Sequence, residues 1–343
     1  MATYERQLSG YSRREFGKLA LTAVPAVSMW RTLGETPLSA FQKIDSNING
    51  VTIGAITYSF RTIPDPMDII AAYKTIGLGE MELMSNHAEG LAGAPSGRGA
   101  GGGRRGEPMT PEQQAARDAA AKALSEWRKS ATEATFKPVR AKIADAGIDL
   151  RLLCYNMSDA RTMPDGRVVP GTTDAEIEYA FMMARWLGVD AISTSTQVSM
   201  AKRIAPFADK HKMMVGFHGH ANTKDTNEVA TPETFDAVMA ASKYHGANLD
   251  IGHYTEAGYD PVAFIEKHHA RITNVHLKDK KKASNGGGNG PWGTGDTPIK
   301  EVLKLVQKNK YKFPNNIEFE YDGDPITEVS KCLEYCKNTL ANS

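Results

Sequence analysis

Short apolar runs recur along the chain at intervals of one strand and one helix, and in the second half each run ends in a polar cluster. Met213-Met214-Val215-Gly216-Phe217 leads into His218-Gly219-His220, and Ala247-Asn248-Leu249 into Asp250-Ile251-Gly252-His253. Ile272-Thr273-Asn274-Val275 leads into His276-Leu277-Lys278-Asp279, and Ile317 into Glu318-Phe319-Glu320. Side chains on a strand alternate between its two faces. Gly216, His218 and His220 therefore share a face, with Val215 and Phe217 on the other. Asn274, His276 and Lys278 oppose Val275 and Leu277, and Glu318 and Glu320 oppose Ile317, Phe319 and Tyr321. An apolar face that packs on helices, and a polar face that begins where the strand ends, is what a (β/α)8 barrel requires of its strands.

The first half supplies the other four strands: Val51 to Phe60, Gly79 to Leu83, Asp149 to Asn156 and Ala191 to Thr196. Between them the pattern predicts helices over Asp68 to Ile76, stopped by Gly77, over Lys137 to Ala146, stopped by Gly147, and over Ala175 to Trp186. Thr110, Pro111 and Gln113 form a capping box that opens a helix running through Trp127. Thr231-Pro232, Asp260-Pro261 and Thr297-Pro298 mark further helix starts. Strand and helix alternating eight times predict an α/β protein of the TIM-barrel type in one domain over residues 45–343. A doubly wound open sheet is the alternative, but no glycine-rich phosphate loop follows the first strand. The glycine-rich stretch 88–106 cannot bury a core and is expected to be a flexible loop inserted after strand two.

Composition narrows the function classes. A net charge of +1 with no basic stripe argues against nucleic acid as a partner. The densest cationic stretch, Lys278 to Lys282, reads as a solvated loop, with anion contact as the alternative. Cys154, Cys332 and Cys336 make no disulfide framework, and the last two, four apart on a C-terminal helix, read as packing residues. No apolar stretch is long enough to hold the mature protein in a bilayer. At the N-terminus, Ser12-Arg13-Arg14-Glu15-Phe16-Gly17-Lys18 precedes the apolar run Leu19 to Trp30 and is similar to a twin-arginine export signal. Residues 1–40 are thus expected to be a leader, the export machinery a partner, and the mature protein periplasmic or extracytoplasmic. The sequence leaves a homo-oligomer open.

The residue types in the four clusters carry the chemistry. Imidazoles together with Asp and Glu make a mixed nitrogen and oxygen set that suits Mn, Zn, Co, Fe or Ni, whereas Mg or Ca prefers oxygen alone. A single histidine after an apolar run is an ordinary interior residue. Four ionisable clusters in series, each at a strand end, are costly to bury unless they share a partner.

These residues resemble the xylose isomerase-like barrel superfamily, often labelled sugar phosphate isomerase/epimerase, from about Val51 to the C-terminus. The resemblance rests on Gly79-Glu80-Met81-Glu82-Leu83, on Asp250 and His253 as Asp-x-x-His, and on His276, Lys278 and Asp279 as His-x-Lys-Asp. It rests also on Glu318 after the terminal strand and on the Gly293-Thr294-Gly295-Asp296 turn. In ketose epimerases of this group a metal is held by Glu, Asp, His and Glu from strands five to eight. The last three map onto Asp250, His276 and Glu318, while His218 stands where the first glutamate would be. Those epimerases use the two metal-bound glutamates as opposed acid and base, and here one of that pair is missing. The resemblance thus implies a one-base reaction beside a carbonyl: isomerisation, β-elimination or hydration. Some exported relatives resemble lyases or hydratases of 3-keto-glycosides, a carbohydrate class that suits a periplasmic enzyme.

On this reading His218, Asp250, His276 and Glu318 hold one divalent metal ion, with Glu320 as the rival to Glu318. Glu318 and His220 are the candidate bases, and Lys278 an acid, base or oxyanion partner. Glu82, from the opposite side of the barrel, is either a second acid/base that holds sugar hydroxyls or a buried structural carboxylate. His253, Tyr58, Asn156 and Trp292 are expected to contact a small carbohydrate substrate. Two other readings stand beside this one: a non-catalytic sugar-binding relative, and a metal-dependent phosphodiesterase, which would usually use more His and Asp ligands.

Overall fold

Eight parallel strands close on themselves in the computed structural model, which describes residues 43–96, 110–162, 166 and 168–341. They are β1 (Val51–Ile56), β2 (Glu80–Met84), β3 (Asp149–Cys154), β4 (Ala191–Ser195), β5 (Met214–His218), β6 (His245–Asp250), β7 (Ile272–Leu277) and β8 (Asn315–Ile317). Each pairs with its sequence neighbour, and β8 returns to β1 with Asn316 opposite Gly54, so no barrel edge is left open. A two-residue strand, Asn47–Ile48, folds back antiparallel on the start of β1. The helices are α1 (Pro66–Ile76), α2 (Ser85–Leu91), α3 (Pro111–Ser130), α4 (Glu133–Asp145), α5 (Asp174–Leu187) and α6 (Met200–His211). They continue with α7 (Pro232–Ala240), α8 (Ile251–Glu256), α9 (Pro261–His268), α10 (Ile299–Asn309) and α11 (Pro325–Ala341).

The period-two pattern sorts the strand side chains as the alternation requires. Val215, Phe217, Leu249, Val275, Leu277 and Ile317 are all buried with the apolar residues of the helices in one core. The alternate positions are buried too, but polar: Glu80, Glu82, Ser193, Asn248, Asn274, His276 and Asn316. The helix signals work through local hydrogen bonds. Asp65 caps α1 by accepting from the Met67 N–H, and Gly77 ends it at φ 87°, a left-handed turn that glycine takes without strain. Thr110 with Gln113, Thr173 with Glu176 and Thr231 with Thr234 close reciprocal capping boxes on α3, α5 and α7.

Four expectations are corrected. The first strand stops at Ile56, and Thr57–Phe60 is a 3-10 turn. Residues 88–91, expected in the flexible loop, belong to α2, because Ala88 and Leu91 are buried and Glu89 pairs with Arg128 at 2.7 Å. Pro298 is the N-cap of α10 rather than its first turn; Thr297 Oγ1 instead accepts from the Lys280 N–H at 3.0 Å. The cationic run is only half a solvated loop: Lys281 and Lys282 are exposed, but Lys278 and Lys280 are buried, and Lys280 pairs with Glu256 at 2.8 Å. Cys154, Cys332 and Cys336 are free and buried. Residues 1–40, read as a leader, and 97–106 of the glycine-rich stretch lie outside the described residues.

Candidate active site

The C-terminal strand ends bring His218 of β5, Asp250 of β6, His276 of β7 and Glu318 after β8 together. One ligand atom from each lies within 4.8 Å of the other three, and all four residues are buried. Period-two alternation places the first three on the barrel interior. Glu318 follows β8 directly, and its N–H still bonds to the Leu277 carbonyl at 3.0 Å, which keeps it in register. Glu320 is not in this quartet; its Oε2 lies 2.6 Å from the Lys278 ammonium.

The quartet fits a divalent ion on evidence of its own atoms. His218 Nδ1 and Asp250 Oδ2 are buried with no hydrogen-bond partner, a costly state for polar groups that have nothing to bind. Asp250 Oδ1 is used, accepting the His253 N–H that caps α8, so the second oxygen is the free one. It sits 3.0 Å from Lys278 Nζ, close enough for charge attraction though not aligned as a hydrogen bond. His276 turns Nδ1 to Glu318 at 3.0 Å and Nε2 to Glu82 at 2.7 Å. A carboxylate behind a histidine ligand fixes its ring and tautomer in metal sites. Two imidazoles and two carboxylates match ions that accept nitrogen as well as oxygen.

Charge in the site is tightly balanced. Burial, then the charge of His276, holds His218 well below the ordinary histidine range, so it stays a neutral imidazole. Burial opposes the charged form of His276, but Glu82 and Glu318 outweigh it and hold its pKa well above the usual value. Lys278 behaves alike: burial is overcome by Asp250, Glu318 and Glu320, and its pKa is raised. For Glu318, burial is overcome by Lys278 and His276, and its pKa is well below the carboxylate range. His253, with its Nδ1 3.8 Å from the Glu256 carboxylate, and Lys280 together bring Glu256 down to about 2. Asp279, part of the His-x-Lys-Asp pattern, does not pair with Lys278. It accepts the N–H groups of Gly293, Gly295 and Thr297 at 2.7, 3.0 and 3.3 Å and so builds the turn before α10.

A cavity of about 380 Å³ opens over the quartet. Tyr58, Asn156, His220, His253, Lys278 and Glu320 line it, together with His218, His276 and Glu318. Tyr58 gets there because β1 ends early, and Asn156 because the chain bends after β3. Two expected contacts are elsewhere. Trp292 packs edge-on against Tyr335 of α11, ring centroids 5.6 Å apart, and is not part of the lining. Glu82 is fully buried beneath the cavity, its carboxylate engaged by His276, Asn274, Asn316 and the Ser193 hydroxyl. Four donors leave it nothing with which to hold a sugar hydroxyl, and of its two readings the structural carboxylate is the one this geometry matches. Ser195 and Met84 also line the cavity but carried no signal in the sequence, since a serine and a methionine at strand ends are ordinary there.

Comparison with known proteins agrees with the fold. A curated inosose dehydratase of Clostridium botulinum is 28% identical over 150 residues, 38% of this chain and 49% of that protein. The chain spans about half the length of the curated relatives it matches. Among solved structures, a "probable 3-DHS dehydratase" of petrobactin synthesis from Bacillus anthracis superposes with a TM-score of 0.57 at 17% identity, over 85% of this chain and 99% of that one. The 3-keto-D-glucoside 4-epimerase of E. coli gives 0.56 at 11%, over 84% and 99%. The IolI protein with its bound zinc gives 0.54 at 11%, over 85% and 97%. A family model described as the xylose isomerase-like TIM barrel matches residues 139–339, from within α4 to the last turn of α11. With more than half of its length matched, and a closed eight-stranded parallel barrel to carry it, the chain belongs to the xylose isomerase-like TIM barrel family.

Proposed function

We propose that this protein is a metal-dependent carbohydrate lyase or isomerase that removes a proton from the carbon beside a carbonyl, with β-elimination of water as the favoured outcome. The observation that carries this is the buried quartet His218, Asp250, His276 and Glu318 at the floor of a sugar-sized cavity. A divalent ion held there supplies a Lewis acid that polarises the carbonyl. Lys278, on the same floor, places an ammonium where negative charge grows on the substrate oxygen. His220, which lines the same cavity, takes the proton from carbon. The electron pair of the broken C–H bond moves into the new C=C, the β C–O bond breaks, and the leaving hydroxide takes the proton held by His220 and departs as water. His253, Tyr58 and Asn156 bind sugar hydroxyls.

Two things support elimination over two-sided epimerisation. The curated relatives are dehydratases, which remove water. Histidine at 218 also leaves the metal set without a second glutamate. The name of the 3-keto-glucoside epimerase supports a keto sugar as the substrate class. We further propose that Arg13 and Arg14 direct export, so that the enzyme works outside the cytoplasm.

The test uses metal-loaded protein with inosose and a 3-keto-glucoside, each deuterated beside the carbonyl. Expected are appearance of a conjugated enone by ultraviolet absorption and either loss of label to water or slowed turnover. Turnover with neither exchange nor isotope effect would point to hydrolysis and end the proton-abstraction reading. Bound metal without turnover across the panel would favour the sugar-binding alternative.

A further inference from the structure

His220 is held from behind. Its Nδ1 bonds to the Glu228 carboxylate and its Nε2 lies 3.1 Å from the Ser195 hydroxyl, which lines the cavity. Glu228 comes from the segment between β5 and α7, and backbone bonds fix that segment on both sides. The His220 N–H bonds to the Val229 carbonyl at 2.8 Å, the Val198 N–H to the Asn227 carbonyl at 2.8 Å, and residues 197 and 228 form an antiparallel bridge. The Ser199 N–H also bonds to Asn227 Oδ1 at 2.9 Å. The loop thus presents one carboxylate to one ring nitrogen, with the opposite nitrogen turned to the cavity wall.

We infer that Glu228 is a positioning residue that sets the tautomer of His220, and that Nε2, hydrogen-bonded to the Ser195 hydroxyl, is the nitrogen presented to the substrate. A carboxylate has only acceptor oxygens, so Nδ1 must carry the hydrogen of the bond to Glu228. In the neutral ring Nε2 is then the acceptor nitrogen, and the Ser195 hydroxyl, 3.1 Å away, donates to it. This is the tautomer a base facing the cavity needs. Without an acceptor at position 228 nothing prefers it, and a ring with hydrogen on Nε2 can accept no proton there. The role of His220 as base rests on the function proposed above; the tautomer does not.

The experiment therefore has two arms on the metal-loaded full chain. The first labels histidine with 15N in the zinc form and reads the His220 ring by long-range proton–nitrogen correlation, assigned by its loss in His220→Gln. Hydrogen on Nδ1 in the native protein, and mixed tautomers in Glu228→Leu, are expected. The second measures turnover of the keto-sugar panel. Glu228→Leu should lower kcat roughly 10- to 100-fold with KM and bound metal unchanged. Glu228→Gln, whose amide oxygen still accepts from Nδ1, should recover much of the loss. The same tautomer in native and Glu228→Leu protein, or a native kcat in that variant, overturns the inference. If no substrate of the panel turns over, the function proposed above fails and the tautomer arm alone decides this one.

Discussion

Replacing Glu80 by glutamine should make the protein more stable as the pH rises. Glu80 is 1% exposed on the barrel interior, and neither carboxyl oxygen has a hydrogen-bond partner. It lies beside Gly54, where an added Cβ would stand 1.6 Å from Glu80 Oε2 and 2.8 Å from Asn316 Oδ1, an oxygen that also lacks a donor. A protonated carboxyl can supply that donor. Burial, then the charge of Glu82, holds the Glu80 pKa well above the usual carboxylate range, with Asp149 in the same direction and Arg151 and His276 opposing. The sign follows from proton counts. In the unfolded chain the group ionises near about 4.3, while the native protein keeps its proton to higher pH. Between those points the native state binds more protons than the unfolded one, so stability is fully present below the unfolded pKa and falls as pH rises towards the folded pKa. The slope is about 1.4 kcal/mol per pH unit for one group. Glutamine does not titrate, and its amide can donate to Asn316. Urea unfolding of both proteins at half-unit steps from pH 5 upward should show the variant gaining on the native protein, at no more than that slope, until the native group ionises. Parallel pH profiles would mean that Glu80 is ionised in the native state, and the argument would be wrong.

Glu82→Gln should weaken zinc binding roughly 10- to 100-fold by chelator competition, because it loosens the carboxylate behind His276; unchanged affinity would remove Glu82 from the support of the site. Trp292→Ala should lower the melting temperature, since the indole packs on Tyr335, but leave KM for any turned-over sugar unchanged; a raised KM would return Trp292 to the substrate. Lysine at both Arg13 and Arg14 should abolish export while the purified protein keeps its metal content, and normal appearance of the double variant outside the cytoplasm would dismiss the twin-arginine signal.

The barrel and the quartet were legible because both rest on short-range rules. Period-two alternation put His218 and His276 on the interior, and residue type made them ligand candidates. The capping box at Thr110 and the Thr231-Pro232 step located helix starts because each is read from residues next to one another or three apart. What stayed hidden depends on contacts distant in sequence. Between its two readings Glu82 stayed undecided in the sequence, because Asn274, His276 and Asn316, which consume its oxygens, lie some 190 to 230 residues further on. Glu228 carried no signal at all, since a glutamate in a polar loop is ordinary until the loop is known to fold back on His220. Trp292 was misplaced for the converse reason: its sequence neighbourhood is the turn that Asp279 builds, and that turn aims the indole at α11.

The imidazole at 218 changes the charge of the centre more than its shape. His218 is held neutral, so the two carboxylates of the quartet, Asp250 and Glu318, would balance a divalent ion held there. A glutamate at 218 would leave that set net negative and would oppose charge growing on a substrate oxygen nearby. Lys278 shifts the balance further in favour of such charge, since its ammonium lies 2.8 Å from Glu318 and 3.0 Å from Asp250, with Glu320 outside them. The same substitution removes the carboxylate that would return a proton to the opposite face of the carbon. On the function proposed above, a centre that would stabilise an enediolate and lacks a second metal-bound glutamate would favour loss of a β-hydroxyl. In the reaction proposed above, that leaves proton transfer to His220, whose ring is held by the loop that carries Glu228.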